Sequence, residues 1–225
     1  MNLKGLGEAM LDLLYPPSLY CNCCGNIIDE TRTYNLCDHC ITHIKWDLDQ
    51  MTIREGLPMA RCTEYGLYER TLIFGLKYSG KTHMARDIAQ IMAEKLELLQ
   101  LDVDVIVPVP IHEQKERQRG YNHAALMGHY LGKLVNKTNY PHALLRTEDT
   151  LPMRGLNPAE RRQNVKGKFA LNEKYDKLLE NKRILLIDDF FTTGSTALAC
   201  KEALQVANPD EVYLLVFAAR YDLHQ

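Results

Sequence analysis

Short apolar runs alternate with longer amphipathic stretches along the chain, and that alternation already suggests a fold. Four runs are continuous or nearly so: Val103 to Pro110, Ala143 to Arg146, Ile184 to Asp189, and Val212 to Ala218 within 211–220. Unbroken runs of this length suit strands buried on both faces of a parallel sheet. Between them the spacing turns helical. Ala85, Ile88, Ala89, Met92, Leu96 and Leu99 fall on one side of a helix, and Leu126, Met127, Tyr130, Leu131 and Leu134 do the same over 124–135. The alanine-rich segment 197–207 reads as a third helix. Strands at 103–110, 143–146, 184–189 and 212–219 therefore predict an α/β fold with a mostly parallel sheet and flanking helices. Upstream, Leu3, Leu6, Met10, Leu13 and Leu14 recur at helical spacing until Pro16-Pro17 end the pattern. That segment is expected to pack on the body of the protein or on a partner.

The chemistry concentrates at 184–196. Asp188 and Asp189 follow the apolar run at its carboxyl end, and Thr192-Thr193-Gly194-Ser195-Thr196 precedes the alanine-rich helix. A turn from a strand into a helix aims backbone N–H groups at one spot, where the helix dipole also favours an anion. Hydroxyls at Thr192, Thr193, Ser195 and Thr196 add donors, and Gly194 lets a phosphate approach the backbone. The two carboxylates would repel that phosphate, so they suit sugar hydroxyls beside it. A ribose 5-phosphate unit satisfies both, and the pattern resembles the phosphoribosyl pyrophosphate (PRPP) signature of type I phosphoribosyltransferases.

Three other stretches change the picture. Cys21 and Cys24, then Cys37 and Cys40, form two C-x2-C pairs, the spacing of a tetrahedral structural zinc site; Cys23, His39 and His43 are alternative ligands. So small a segment needs its metal to fold. Gly75 to Thr82 matches the P-loop pattern of nucleotide triphosphatases, but Glu69 to Leu76 is spaced as a helix where a buried strand is required. Ile111 to Asn122 is a polar, basic loop after a strand end, with Arg117 and Arg119 placed to meet an anion; 147–168 is a basic, Gly/Pro-interrupted stretch that reads as a lid.

Composition narrows the classes. The 225 residues carry a net charge of −2, so nucleic-acid binding finds no support in global charge. No run approaches a membrane span and no secretory segment is evident, which predicts a cytoplasmic protein. Of the seven cysteines, an odd number, five cluster within 21–40, which fits metal better than disulfides in that compartment.

With these pieces placed, the chain resembles the ComF family of competence proteins over essentially its whole length. The resemblance rests on the two cysteine pairs, Tyr68 with Leu76-Lys77-Tyr78-Ser79-Gly80, Val107 to Pro110, Arg119-Gly120-Tyr121-Asn122, Glu160-Arg161 with Asn164, and 184–196. It implies an N-terminal helix and four-cysteine zinc module over 1–55, joined to a type I phosphoribosyltransferase-like domain over 56–225. It further implies that Asp188 and Asp189 bind the ribose hydroxyls of PRPP, residues 192–196 its 5-phosphate, and Pro110, Ile111, His112 and Arg119 its pyrophosphate. Arg161 would close from the lid and act with Asp189 in catalysis, and magnesium would accompany the pyrophosphate. Natural transformation, a helicase-like ATPase partner and single-stranded DNA are implied by resemblance alone. The family usually has glutamine where Met153 and His123 stand. Two functions follow: phosphoribosyl transfer with release of pyrophosphate, or a non-catalytic PRPP- or nucleotide-sensing adaptor. A P-loop triphosphatase is the least favoured.

Overall fold

A computed structural model of the chain describes residues 19–148 and 157–220. In chain order, a 3-10 turn at Thr33–Asn35 precedes α1 (Asp38–His43), β1 (Thr52–Arg54), β2 (Leu57–Glu64), α2 (Leu67–Tyr78) and α3 (Met84–Leu98). Next come β3 (Val105–Pro108), α4 (Glu113–Arg119), α5 (His123–Leu134), β4 (Thr138–Asn139) and β5 (Leu144–Arg146). α6 (Pro158–Val165), β6 (Phe169–Leu171), α7 (Asp176–Leu179), β7 (Arg183–Phe191), α8 (Ser195–Leu204) and β8 (Glu211–Ala219) follow.

The apolar run at 184–187 is fully shielded because β7 lies inside the sheet, parallel to β3 on one side and β8 on the other. Among the described residues the main sheet has the order β1-β2-β8-β7-β3-β4, and only the β1–β2 pair is antiparallel. Successive side chains of β7 point to opposite faces. Ile184 and Leu186 share a core with Ala197, Cys200 and Leu204 of α8, whereas Leu185 and Ile187 share one with Ile88 and Met92 of α3 and Met127 and Leu131 of α5. The predicted α/β layering is therefore present, with helices on both faces.

Two strands differ from expectation. Residues 144–146 form β5, but it pairs antiparallel with β6 in a separate two-stranded ribbon. Leu144 is buried while Leu145 is largely exposed, so the run covers one face only and has no place inside the main sheet. β2 is absent from the sequence reading because polar residues interrupt its apolar pattern, yet it pairs in parallel with β8 from Met59↔Leu214 to Glu64↔Ala219. Its polar members have partners: Arg61 pairs with Asp47, and Thr63 Oγ1 donates to the Phe217 carbonyl at 2.8 Å.

The P-loop match dissolves, as its helical spacing anticipated. Gly75, Leu76 and Lys77 lie inside α2. Gly75 sits where α3 crosses closely: a Cβ there would stand 2.5 Å from Met84 Sδ. The predicted lid contains α6, whose start is closed reciprocally by Asn157 and Glu160. Met153 and Arg154, and the expected helix at 3–14, lie outside the described residues. No helix among the described residues is long and apolar enough to cross a membrane.

The cysteine-rich segment is packed onto this body. Cys21, Ile28, Leu36, Cys40 and Ile44 join the same apolar cluster as Ile88 and Met92 of α3. A polar clasp reinforces the contact: Asn22 Nδ2 donates to Asp87 Oδ2 at 2.6 Å and Asn35 Nδ2 to Asp87 Oδ1 at 2.9 Å. Burial pushes the Asp87 carboxyl up to about 6, against the downward pull of the two amides. Asp87→Ala removes the acceptor from both amides and should cost about 1–3 kcal/mol. Denaturant unfolding should show a lower midpoint, with hydrogen exchange quickening across 21–44; an unchanged midpoint would contradict the clasp.

Candidate functional site

β7 carries its residues out of the sheet into the turn that starts α8. Gly194 turns the chain with φ 76°, the left-handed region, and a Cβ on it would fall 2.7 Å from the Phe191 ring. Both facts require glycine there. Thr193 Oγ1 and Ser195 Oγ lie 2.9 Å apart, so the hydroxyls are already gathered. Asp188 and residues 190–197 line a cleft at this turn, with Leu214 and Val216 of β8 behind it. The first turn of the ten-residue helix α8 opens into the same space, which suits an anion.

The two adjacent acids have different surroundings, as the alternation of a strand dictates. Asp188 belongs to the cleft, and its Oδ1 accepts the backbone N–H of Asp189 at 2.9 Å. Burial, and then the neighbouring Asp189 charge, push the Asp188 carboxyl well above its usual range. Asp189 is only 2% exposed and meets α2 and α5. Its Oδ2 lies 2.6 Å from Lys77 Nζ and its Oδ1 3.3 Å from His123 Nε2. Burial opposes ionisation of Asp189, but Lys77 and then His123 outweigh it and hold the carboxyl below its usual range. Lys77 shows the converse: burial lowers it, while Asp189 and Asp188 raise it further. A carboxylate held ionised by two donors is a weak proton acceptor, so Asp189 is poorly suited to the role of general base.

His123, Asp188 and Asp189 also offer three ligand atoms within 4.8 Å of one another. The Lys77 ammonium already supplies the positive charge there, so the trio does not fit a protein-held magnesium.

The loop after β3 meets this site from the side. Pro110, Ile111 and His112 connect β3 to α4, and His112 Nδ1 accepts the backbone N–H of Gln114, capping that helix at 3.3 Å. Asn122 caps α5 by accepting from Ala124 N at 3.0 Å, and its Nδ2 donates to the Val109 carbonyl at 3.1 Å. Between these caps, Arg119 reaches His123, with Nη1 2.7 Å from Nδ1 and the guanidinium 5.4 Å from the Tyr78 ring centre. Arg117 instead pairs with Glu113 on its own helix at 2.5 Å, exposed to solvent. The structure thus brings Arg119 to His123, which itself reaches Asp189, and leaves Arg117 in a local pair. Arg161 belongs to α6, which lies against α8; its side chain is outside the described residues. Lys77 was visible in sequence only as part of a motif, and His123 only as a departure from a family pattern.

In the N-terminal segment, the Sγ atoms of Cys21, Cys24, Cys37 and Cys40 all lie within 4.8 Å of one another. Cys24 and Cys37 sulfurs are 3.6 Å apart, close to the about 3.8 Å edge of a tetrahedron with Zn–S bonds of about 2.3 Å. The alternative ligands are engaged elsewhere. Cys23 donates to the Tyr68 carbonyl at 3.9 Å, His39 Nε2 lies 3.1 Å from Tyr68 Oη, and His43 packs against the same ring. A closed set of four thiolates suits a structural zinc ion and leaves no open position for catalysis.

No protein-family model matches the chain. It is 24% identical to competence protein F of Haemophilus influenzae over 200 residues, covering 84% of this chain and 86% of that protein. It is 29% identical over 99 residues to an adenine phosphoribosyltransferase of Campylobacter jejuni subsp. jejuni, covering 41% of this chain and 54% of the enzyme. Among solved structures, glutamine PRPP amidotransferase from B. subtilis, complexed with ADP and GMP, aligns with a TM-score of 0.43 and 15% identity over 64% of this chain and 30% of its own. Adenine phosphoribosyltransferase from Leishmania tarentolae aligns at 0.41 and 11% identity, over 85% and 89%. The cysteine cluster, the mostly parallel sheet and the sequence likeness along most of its length make this chain a homologue of competence protein F.

Proposed function

We propose that the protein binds PRPP, together with its magnesium, at the turn between β7 and α8. One observation carries this reading: a buried parallel strand delivers two carboxylates beside a hydroxyl-rich turn whose Gly194 admits no side chain, at the start of a helix. The 5-phosphate takes the backbone and hydroxyls of Thr192, Thr193, Gly194, Ser195 and Thr196. Asp188 accepts from the ribose diol at the open cleft. Asp189 has lone pairs beyond those shared with Lys77 and His123, and serves as a fixed acceptor behind it. Pro110, Ile111 and His112 hold the pyrophosphate end with Arg119, and Arg161 closes from α6.

Transfer would break the bond between ribose C1 and the pyrophosphate oxygen and form one from C1 to an acceptor. Pyrophosphate leaves with the bonding pair, through an oxocarbenium-like transition state. Magnesium supplies charge neutralisation to the leaving group. The chain's own part is electrostatic: the ionised Asp189 faces developing positive charge, while Arg119 and Arg161 face developing negative charge. The adaptor reading draws on a specific feature, since a carboxylate engaged on both oxygens favours holding a ligand over moving protons. The four-cysteine site holds zinc and organises residues 1–55 as a module on the domain at 56–225. A cytoplasmic role in DNA uptake during natural transformation, with a helicase-like ATPase and single-stranded DNA as partners, rests on the resemblance to competence proteins.

Calorimetric titration with PRPP and magnesium should reveal one saturable site. Asp188→Ala should weaken it roughly three- to tenfold, the scale of one lost hydrogen bond; an unchanged affinity would contradict the assignment. Pyrophosphate release across a panel of nucleobase and ribosyl acceptors separates enzyme from adaptor, and binding without release for every acceptor would reject the enzyme. Metal analysis should find one zinc per chain, lost in Cys40→Ser along with the ordered packing of 21–44. A metal-free protein with that segment still folded would overturn the zinc site.

A further inference from the structure

Four side chains outside the phosphate turn form one continuous series of donors and acceptors. Arg119 Nη1 lies 2.7 Å from His123 Nδ1, His123 Nε2 lies 3.3 Å from Asp189 Oδ1, and Asp189 Oδ2 lies 2.6 Å from Lys77 Nζ. The direction of the series is fixed at both ends. A guanidinium has donors only, so Nδ1 of His123 must accept. An ionised carboxylate has acceptors only, so Nε2 must carry the hydrogen. His123 is therefore a neutral imidazole in the Nε2–H tautomer. Its surroundings agree: the ring is buried, and an imidazolium would face the cations of Arg119 and Lys77 as well as Asp189. The residues come from three helices and a strand end: Lys77 from α2, Arg119 from the end of α4, His123 from the first turn of α5, Asp189 from β7, with Tyr78 of α2 against the Arg119 guanidinium.

We propose that His123 is a positioning residue that couples the two ends of the ligand site, setting with one side chain the anion-binding Arg119 and the buried Asp189 that backs the ribose. This rests on the reading of the cleft as a PRPP site, in which Arg119 meets the pyrophosphate and Asp189 the ribose. Because one ring bridges them, neither group finds its place independently. Replacing the ring by an apolar side chain leaves Arg119 without its buried acceptor and Asp189 with Lys77 alone. A glutamine side chain, by contrast, offers one amide oxygen to accept from Arg119 and one amide nitrogen to donate to Asp189. The coupling selects for ligands that carry a diphosphate and a ribose together over either fragment.

Two measurements decide it. In the ligand-free, zinc-loaded protein near pH 7, nitrogen-15 NMR of His123 should show a protonated Nε2 and an unprotonated Nδ1. An Nδ1–H tautomer or an imidazolium would overturn the relay whether or not PRPP binds. In calorimetry with PRPP and magnesium, His123→Leu should lose about tenfold or more in affinity, as expected for a disrupted hydrogen bond to a charged group. His123→Gln should recover most of that loss, to within about threefold of wild type. Equal binding by His123→Leu and wild type would overturn the proposal, and so would a folded His123→Gln as weak as His123→Leu. Failure of the wild type itself to bind PRPP would instead reject the ligand assignment, and the tautomer would still judge the relay.

Discussion

A buried negative charge is the constraint around which this site is built. Taking the Asp189 carboxylate out of water is costly, and only close, well-aligned partners make it tolerable. Lys77 provides the charge and His123 a second donor, so α2 and α5 must both reach the carboxyl end of β7. Removing one member of such a pair typically costs about 3–5 kcal/mol, because the other charge is left buried and unpaired. Several features follow from this demand. Tyr121 Oη donates to the Leu76 carbonyl, tying the start of α5 to α2 beside Lys77. Asn122 fixes the same helix to the end of β3 through the Val109 carbonyl. Arg119, carried between them, completes the series through His123.

The alternation of a strand then divides labour between neighbours in sequence. Asp188 faces the cleft at the turn into α8, where burial and the Asp189 charge favour its protonated form. Asp189 faces α2 and α5, where Lys77 keeps it ionised. Two chemically identical residues thus receive opposite protonation preferences from the two sides of one sheet. The site pairs a fixed charge below with an adaptable acceptor above, an arrangement suited to holding a sugar next to a phosphate. The four-cysteine segment plays a separate part: 21–44 closes against α3 through shared apolar contacts and the Asp87 clasp.

Much of this was legible in the residues. The run Ile184 to Ile187 announced a strand buried on both faces, and Gly194 announced a sharp turn into the helix that follows; both have the geometry their sequence demands. The four cysteines were separable from Cys23, His39 and His43 only in three dimensions, where Tyr68 engages the latter three. β2 escaped notice because Arg61 and Thr63 interrupt its apolar pattern, and their partners Asp47 and the Phe217 carbonyl are distant in sequence. The strand at 144–146 was recognised, but its exposed Leu145 assigns it to a ribbon outside the main sheet. Lys77 and His123 were the hardest to read. One lies in a segment that mimics a P-loop, and each acquires meaning only through a carboxylate that folding brings beside it.

The state of that carboxylate is open to direct observation. Carbon-13 NMR of the Asp189 side chain, recorded against pH in the zinc-loaded protein, reports its ionisation without any ligand. A carboxyl shift that stays at the ionised value from about pH 8 down to about pH 4 is the expected result, since the usual Asp range lies near 3.9 and Lys77 holds this group below it. Titration of Asp189 with a midpoint inside that window would contradict a site organised around a fixed buried charge.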